Sequence, residues 1–168
     1  CTGKAVAHLI SKGCRNIWYI TPPIWTFSLN ERLEGYRSAM AEAGLSSDDH
    51  VCIAYDSQMN MMEAGYNQMN QILSGTVPDG IVATSDLYAI GAMRAIQEKG
   101  LRIPDDISVV GFDNSEFGRY YKPALTTFGL PLYRMGEMAF EFLNGDLDRQ
   151  LGRLDVTADF IVRDSVRQ

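Results

Sequence analysis

The chain has 168 residues, 46% of them hydrophobic, and a formal net charge of −6. This length suits one domain with a hydrophobic core of its own, and the hydrophobic fraction is ordinary for a globular protein. A fragment that binds nucleic-acid phosphates by itself should be basic, so the negative charge argues against direct nucleic-acid binding by this chain.

The cysteines and the lengths of the hydrophobic runs further limit the kind of protein that this chain can be. Cys1, Cys14 and Cys52 are odd in number and include no C-x-x-C pair, which argues against a disulfide framework or a zinc site and fits a reducing cytoplasm. No apolar run approaches the roughly 18 residues that a membrane-spanning helix needs. The sequence begins without Met and with a helical pattern, so we expect it to be part of a longer protein. We expect no membrane association, no metal and no cofactor.

Predicted helices and strands alternate along the first two thirds of the chain. The helices carry apolar residues at helical spacing and stop at or near a glycine, whereas the strands are short apolar runs. In chain order the elements are a helix over 2–12, a strand over 16–21, a helix from the Ser28-x-x-Glu31 capping box to Gly44, a strand over 51–55, a helix over 61–74, a strand over 80–84, a helix from Ser85 to Lys99 and a strand over 107–112.

This alternation predicts an α/β fold. Strands joined through helices by short connections give an open parallel sheet with helices on both faces. The strands are apolar at consecutive positions instead of alternating with polar ones, which agrees with a sheet that is covered on both sides.

The pattern changes after Phe112. Residues 113–124 are predicted as a loop, 125–128 as an extended segment and 158–165 as a last strand. Residues 131–144 are predicted as an amphipathic helix. Its apolar face consists of Leu132, Met135, Met138, Ala139 and Phe142.

Polar and aromatic side chains follow the carboxyl ends of the predicted strands, where open α/β sheets bind their ligands. They are Thr21, Trp25, Thr26, Ser28 and Arg32 after the first strand, Asp56 and Asn60 after the second, Ser85 and Asp86 after the third, and Asp113 and Asn114 after the fourth. One guanidinium, several carboxylates and hydroxyls, and one indole suit a small neutral ligand that is rich in hydroxyls or heterocyclic.

Each of these candidates has a structural alternative. Arg32 could pair with Glu31 or Glu34 on a solvated helix face. The carboxylates of Asp86 and Asp113 could serve a helix cap and a turn. The Trp25 side chain could simply pack within its loop.

Several runs of the sequence resemble the LacI/GalR family of bacterial repressors. They are R-L-E-G-Y at 32–36, S-D-L-Y-A-I-G-A-M-R-A at 85–95, G-L-R-I-P-D-D-I-S-V-V-G-F-D-N at 100–114 and P-A-L-T-T at 123–127. The resemblance covers nearly the whole chain, and the run at 100–114 is its most specific part.

The resemblance implies a periplasmic-binding-protein-like core of a transcription repressor. Such repressors carry an N-terminal helix-turn-helix headpiece, bind an effector between two lobes and act as dimers whose operator affinity the effector changes. Residues 1–128 and 155–168 would form the C-terminal lobe. Residues 129–154 would be a crossover helix and loop that packs on the N-terminal lobe, which is absent from this chain together with the headpiece.

The resemblance also implies roles for the candidate residues. Arg32 and Asp113 would contact the effector, while Ser85, Thr26 and Ser28 would line its pocket. Asn60 departs from the family, which often has an aromatic residue there that stacks on the effector. Stacking would then come from Trp25 or from the missing lobe.

Without that lobe, the apolar face of helix 131–144 lacks its usual cover. An exposed apolar stripe of this kind favours association with another surface. We therefore expect this helix to be displaced, disordered or packed against a second copy.

The helix over 86–99 is apolar nearly all round. One stripe can cover the sheet, and a second stripe needs another surface. Because the family dimerises through this region, we expect a homodimer; the alternative is a helix buried within one lobe. The predicted interface residues are Leu87, Tyr88, Ile90, Met93, Tyr120 and Tyr121.

The predicted function is effector sensing by a repressor that binds a small sugar or a nucleobase-like molecule and reaches operator DNA only through the missing headpiece. The second interpretation is a periplasmic-type sugar-binding protein of a transport system, and the run at 100–114 favours the repressor. An enzyme is least favoured, because no G-x-S-x-G, G-x-G-x-x-G, P-loop or H-E-x-x-H motif occurs. The only histidines, His8 and His50, are poorly placed for the predicted pocket.

Overall fold

The computed structural model describes residues 1–54, 59–145 and 156–168. Its helices are α1 Thr2–Ser11, α2 Phe27–Glu42, α3 Met61–Leu73, α4 Asp86–Glu98, α5 Glu116–Tyr120 and α6 Leu132–Asn144. Its strands are β1 Ile17–Thr21, β2 Val51–Ile53, β3 Gly80–Ala83, β4 Ser108–Val110, β5 Thr127–Gly129 and β6 Asp159–Ile161. The strands are shorter than predicted, and α5 lies inside the segment that was predicted as a loop.

Four parallel strands form the central sheet in the order β2-β1-β3-β4. In β1, Tyr19 pairs with Val51 of β2 on one side and with Val82 of β3 on the other. The last two strands, β5 and β6, form a separate antiparallel pair, which a parallel bridge between Thr126 and Val110 connects to β4. The prediction of an open parallel sheet is confirmed.

Helices cover both faces of this sheet. On one face, Ile81 and Val109 belong to a buried cluster with residues of α3 and α4. On the other face, Tyr19 and Val82 belong to a second buried cluster with residues of α1 and α2. Successive side chains of a strand point to opposite faces. Each strand therefore needs apolar residues at consecutive positions to serve both clusters.

The two helices on the first face meet at a pair of glycines. A Cβ atom on Gly65 would overlap the backbone of Tyr88, and one on Gly91 would overlap the carbonyl of Met62. Only glycine permits such a close backbone approach. As a result, α3 covers apolar surface of α4 that the sheet leaves open.

This helix contact corrects part of the predicted dimer surface. Met93 has no exposed surface, while Tyr88 and Ile90 are each 6% exposed. The second apolar stripe of α4 is thus covered largely by α3 of the same chain, as in the alternative interpretation. The predicted interface residues that remain more accessible are Leu87, Tyr120 and Tyr121.

The beginning of α2 also differs from the prediction. Thr26 is its N-cap residue, and its Oγ1 accepts a hydrogen bond from the Leu29 amide at 3.3 Å. Ser28 therefore lies inside the first turn, and the predicted capping box from Ser28 to Glu31 is wrong.

The segment over 132–144 is a formed helix, so disorder, one of the three states expected for it, is wrong. None of the residues of α6 is buried. On its apolar face Leu132 is 66% exposed, whereas Phe142 is half-buried. The rest of the predicted crossover segment, 146–154, and residue 155 lie outside the described residues, as does Asp56. Of the helices described, none is both long and apolar enough to cross a membrane.

Candidate ligand-binding site

Arg32, in the second turn of α2, connects the ends of two neighbouring strands. Its Nη1 donates a hydrogen bond to the carbonyl oxygen of Thr84 at 2.6 Å, just beyond β3. Its guanidinium lies 3.7 Å from the centroid of the Phe112 ring, just beyond β4. The alternative of an ion pair with Glu31 or Glu34 on a solvated face is wrong: among the ion pairs of the described residues none joins Arg32 to either carboxylate, and Glu34 pairs with Arg37 at 3.2 Å.

Tyr36 fixes the direction in which this part of α2 faces. It lies one turn after Arg32 and is fully buried. Its hydroxyl donates to the carbonyl of Ile17 at 2.8 Å, and its ring stacks on Tyr19 with the centroids 5.3 Å apart. Burial raises the pKa of the Tyr36 hydroxyl well above its usual range, so this group remains a hydrogen-bond donor.

A hollow of about 310 Å³ opens beside Arg32. Aromatic, charged and small polar groups surround it, which suits a small ligand with both an apolar face and hydroxyl groups. Its lining residues are Cys1, Thr2, Phe27, Ser28, Glu31, Arg32, Gly35 and Phe112.

The sequence predicted only part of this lining. Arg32 and Ser28 were in the predicted set, whereas Phe27, Glu31 and Phe112 were not. Phe112 carried a usable signal, since it ends the fourth predicted strand directly before Asp113. Phe27 lies between two predicted residues, but nothing in the sequence indicated that its side chain faces the hollow.

Asp113 follows Phe112 on a strained turn. Its φ is 120°, and that of Asn114 is 56°, both in the region that side-chain-bearing residues rarely adopt. The Asp113 amide donates to the carbonyl of Phe128 at 2.8 Å. Burial raises the pKa of the Asp113 carboxyl to about 6; the Arg32 guanidinium opposes this rise and the Asp86 carboxylate adds to it.

Asp113→Asn is expected to stabilise the ligand-free chain at about pH 7.5 and to leave its stability unchanged at about pH 3. Folding raises the pKa of this carboxyl from 3.8 to about 6, so the stability it contributes is fully present below 3.8 and is lost as the pH rises through 6. Asparagine stays neutral throughout and also tolerates positive φ.

Asp113 is an exposed residue, so solvent screening limits the gain to less than about 1 kcal/mol. Urea unfolding at the two pH values measures the difference. A variant that is less stable than the wild type at the higher pH would contradict the assignment of the raised pKa.

Three more predicted residues lie near this edge of the sheet. Ser85, one residue beyond Thr84, is the buried N-cap residue of α4, and its Oγ lies 4.0 Å from the sulfur of Met61. The hydroxyls of Thr26 and Ser28 lie 3.3 Å apart at the start of α2.

Trp25 and Asn60 are not brought to the hollow. Trp25 is 65% exposed, so its indole does not pack in the loop and does not line the hollow either. Asn60 is the N-cap residue of α3, with its Oδ1 accepting from the Glu63 amide at 2.9 Å. It borders a different groove, between α3 and α4. Over the described ranges, no group of three or more His, Cys, Asp or Glu side chains could hold a metal ion.

Comparison with known proteins gives consistent matches. A family model described as periplasmic binding protein-like domain matches residues 6–166. The chain is 40% identical over 143 residues to the HTH-type transcriptional repressor PurR of Edwardsiella ictaluri, covering 84% of the chain and 40% of that protein. It is 38% identical over 140 residues to the PurR repressor of Glaesserella parasuis, covering 83% of the chain and 40% of that protein. The chain thus spans about 40% of the length of these curated relatives.

Solved structures agree with these matches. A sugar-binding transcriptional regulator of the LacI family from Escherichia coli, complexed with phosphate, superposes with a TM-score of 0.85 at 29% identity, over 98% of this chain and 59% of that one. The lac repressor dimer bound to operator and the anti-inducer ONPF superposes with a TM-score of 0.87 at 29% identity, over 98% of this chain and 57% of that one.

Proposed function

The chain belongs to the periplasmic binding protein-like domain family, within the LacI/GalR regulators, and from this membership we propose that it is the effector-sensing and dimerisation part of a transcriptional repressor. The effector is a small sugar or a nucleobase-like molecule. In the longer protein, a helix-turn-helix headpiece binds operator DNA, and this chain performs no catalysis. The names of the relatives favour a repressor over a transport protein of the same fold.

One observation carries this proposal: Arg32 links the ends of β3 and β4 at the rim of the sheet, beside an open hollow. A guanidinium presents donors in a fixed fork and binds hydroxyls or ring heteroatoms by directed hydrogen bonds. The phenyl ring of Phe27, 72% exposed at the same hollow, offers an apolar face for a sugar or base. Asp113 is not among the residues that line the hollow, but it lies one residue beyond Phe112, and we propose that its carboxyl group contacts the effector from the rim.

If the effector is to control DNA binding, its affinity must differ between two conformations of the protein. An effector shifts an equilibrium only by its differential affinity for the two states. The hollow is open on one side, and we propose that an N-terminal lobe closes it in the longer protein. The segment 129–154 would contact that lobe, which agrees with the exposure of Leu132 and Phe140 on α6.

The full-length protein tests this function directly. Thermal-shift measurements with a panel of monosaccharides, disaccharides and nucleobases should identify a compound that raises the Tm; at about a hundredfold excess over Kd, such a ligand adds ~2.7 kcal/mol of stability. The same compound should change the affinity of the full-length protein for operator DNA, measured by fluorescence anisotropy. Ligand binding without any DNA binding would favour a transport role and contradict the repressor.

The dimer is proposed to form around the groove between α3 and α4. This groove has a volume of about 590 Å³ and is bordered by Tyr66, Arg94 and Tyr121 among others. Nearby, Tyr120 of α5 is 76% exposed. Aromatic and arginine side chains are enriched at protein interfaces, which supports an interface between two copies at this surface.

Sedimentation velocity of the chain at high micromolar concentration is expected to show a dimer. Tyr120→Asp should shift the population toward monomer, because it places a charge in the proposed interface. Val77→Asp, at a residue 54% exposed in the turn between α3 and β3, is the matched control and should not change the sedimentation. A wild-type chain that is monomeric throughout would count against the dimer.

A further inference from the structure

The carboxylate of Asp86 is buried in the molecule and forms no ion pair with a described residue. Its side chain has no exposed surface, and it lies in the first turn of α4, where the helix dipole favours a negative charge. Burying a carboxylate is costly unless hydrogen bonds satisfy its oxygens. The bonds that satisfy Asp86 therefore show what this residue holds in place.

Both oxygens of this carboxylate accept hydrogen bonds from the segments around Asp113. Oδ2 accepts from the amide of Ser115 at 2.6 Å, and Oδ1 accepts from the hydroxyl of Thr127 at 2.6 Å. The Thr127 oxygen in turn accepts from the amide of Asn114 at 3.3 Å. Asp86 thus holds the two residues that follow Asp113, one directly and one through Thr127.

The backbone of Asp86 and the small residues around it complete this connection. Its own amide donates to the carbonyl of Phe112 at 2.7 Å, on the other side of Asp113. A Cβ atom on Gly111 would overlap the Asp86 carboxylate, so glycine there lets the chain pass close to it directly after β4. Asp86 therefore binds Phe112 before Asp113 and Ser115 after it directly, and it holds Asn114 through Thr127.

The turn itself needs such support. Asp113 and Asn114 both have positive φ, and a residue in such a conformation costs of order 1 kcal/mol or more. This conformation persists only where surrounding contacts determine it. The buried carboxylate supplies two of those contacts, and they are strong because one partner is charged.

We propose that Asp86 is the positioning residue of the ligand site: from beneath the rim of the sheet, it holds the turn that presents the Asp113 carboxyl beside Arg32. Asp86 does not touch the ligand. The proposal depends on the proposed function only for the statement that Asp113 faces a ligand, and the positioning itself can be measured in the ligand-free chain.

The choice of residue follows from hydrogen-bond counting. An N–H and an O–H both point at the side chain of Asp86, so it must offer two acceptors. Asparagine has the same shape but offers one acceptor and one donor. With its carbonyl oxygen on the Ser115 amide, its NH₂ group would face Thr127, whose hydroxyl would have to rotate and accept. The charge-assisted bond donated by that hydroxyl would then be lost.

The test is an NMR pH titration of the Asp113 carboxyl carbon in the ligand-free chain, comparing the wild type with Asp86→Asn, Thr127→Val and Thr127→Ser. Arg32 and Asp86 are the charged groups whose fields act on the Asp113 carboxyl. In Asp86→Asn its pKa should fall from about 6 toward the ordinary value, because the turn opens to water, which reduces the burial that raises the pKa, and because the adjacent negative charge is gone. The amide signals of 113–115 should shift as well.

The threonine variants separate positioning from general stability. Thr127→Val removes one donor to Asp86 and should also lower the pKa of Asp113, whereas Thr127→Ser keeps the hydroxyl and should titrate like the wild type. If Asp86→Asn does not fold, the difference in the Asp113 pKa between Thr127→Val and Thr127→Ser tests the proposal by itself. An Asp113 pKa unchanged in every folded variant, with unmoved amide signals, would overturn the proposal. Because no ligand is added, that outcome is separate from any failure of the effector screen.

Discussion

Arg32→Ala is expected to abolish the response of DNA binding to effector while leaving the protein folded. The substitution removes the charged donors that the effector would bind, together with the contacts to Thr84 and Phe112. Loss of hydrogen bonds from a charged group costs about 3 kcal/mol in binding, or more than a hundredfold in Kd. The fold should lose roughly 1–2 kcal/mol, since the main contacts of Arg32 in the chain are one hydrogen bond and one ring.

Arg37→Ala provides the matched control for this variant. Arg37 lies on the same helix and pairs with Glu34, but its side chain is 51% exposed and does not reach the hollow. Isothermal titration of the full-length protein with the effector found by thermal shift compares the variants. Arg32→Lys keeps the positive charge but loses the planar guanidinium with its paired donors. It should therefore recover little of the effector affinity that Arg32→Ala loses. Wild-type affinity in Arg32→Ala would exclude Arg32 from the site.

Gly91→Ala is expected to destabilise the fold strongly. The new Cβ would overlap the backbone carbonyl of Met62, which cannot move without separating α3 from α4. Overpacking against backbone in a closely packed contact costs roughly 3 kcal/mol or more, enough to unfold a marginally stable domain.

Gly136→Ala on α6 is the control, because it adds the same methyl group to another helical glycine. Apart from its chain neighbours and the backbone of its own helix, a Cβ there would meet no described atom within 4 Å, so alanine should stabilise the helix by up to ~1 kcal/mol through its higher helix propensity. Circular dichroism during urea unfolding measures both variants. If Gly91→Ala proved as stable as Gly136→Ala, the close crossing of α3 and α4 would be wrong.

Much of this architecture could be predicted because it follows from local signals. Apolar runs separated by amphipathic helices specify parallel strands, and the rule that ligands bind at the carboxyl ends selected Arg32 and Asp113 without coordinates. These two positions lie on different elements, and the parallel topology alone brings them to one rim.

The predictions failed where contacts between residues far apart in the sequence determine the structure. A helix that is apolar all round can be covered by a partner or by its own chain, and the sequence of α4 is the same in both cases. Gly65 and Gly91 carried the missing information, because glycine inside a helix indicates a close neighbour. Similarly, Thr26 and Ser28 can each serve as an N-cap residue, and the path of the loop from Pro23 decides between them.

The hydrogen bond from Arg32 to Thr84 joins positions 52 residues apart in the chain. The hollow therefore exists only while α2 and the end of β3 are folded together, and no short peptide could reproduce it. A molecule held there would oppose every opening motion that separates the two segments. Bound effector should accordingly slow the hydrogen exchange of amides in β3 and β4 that it never touches.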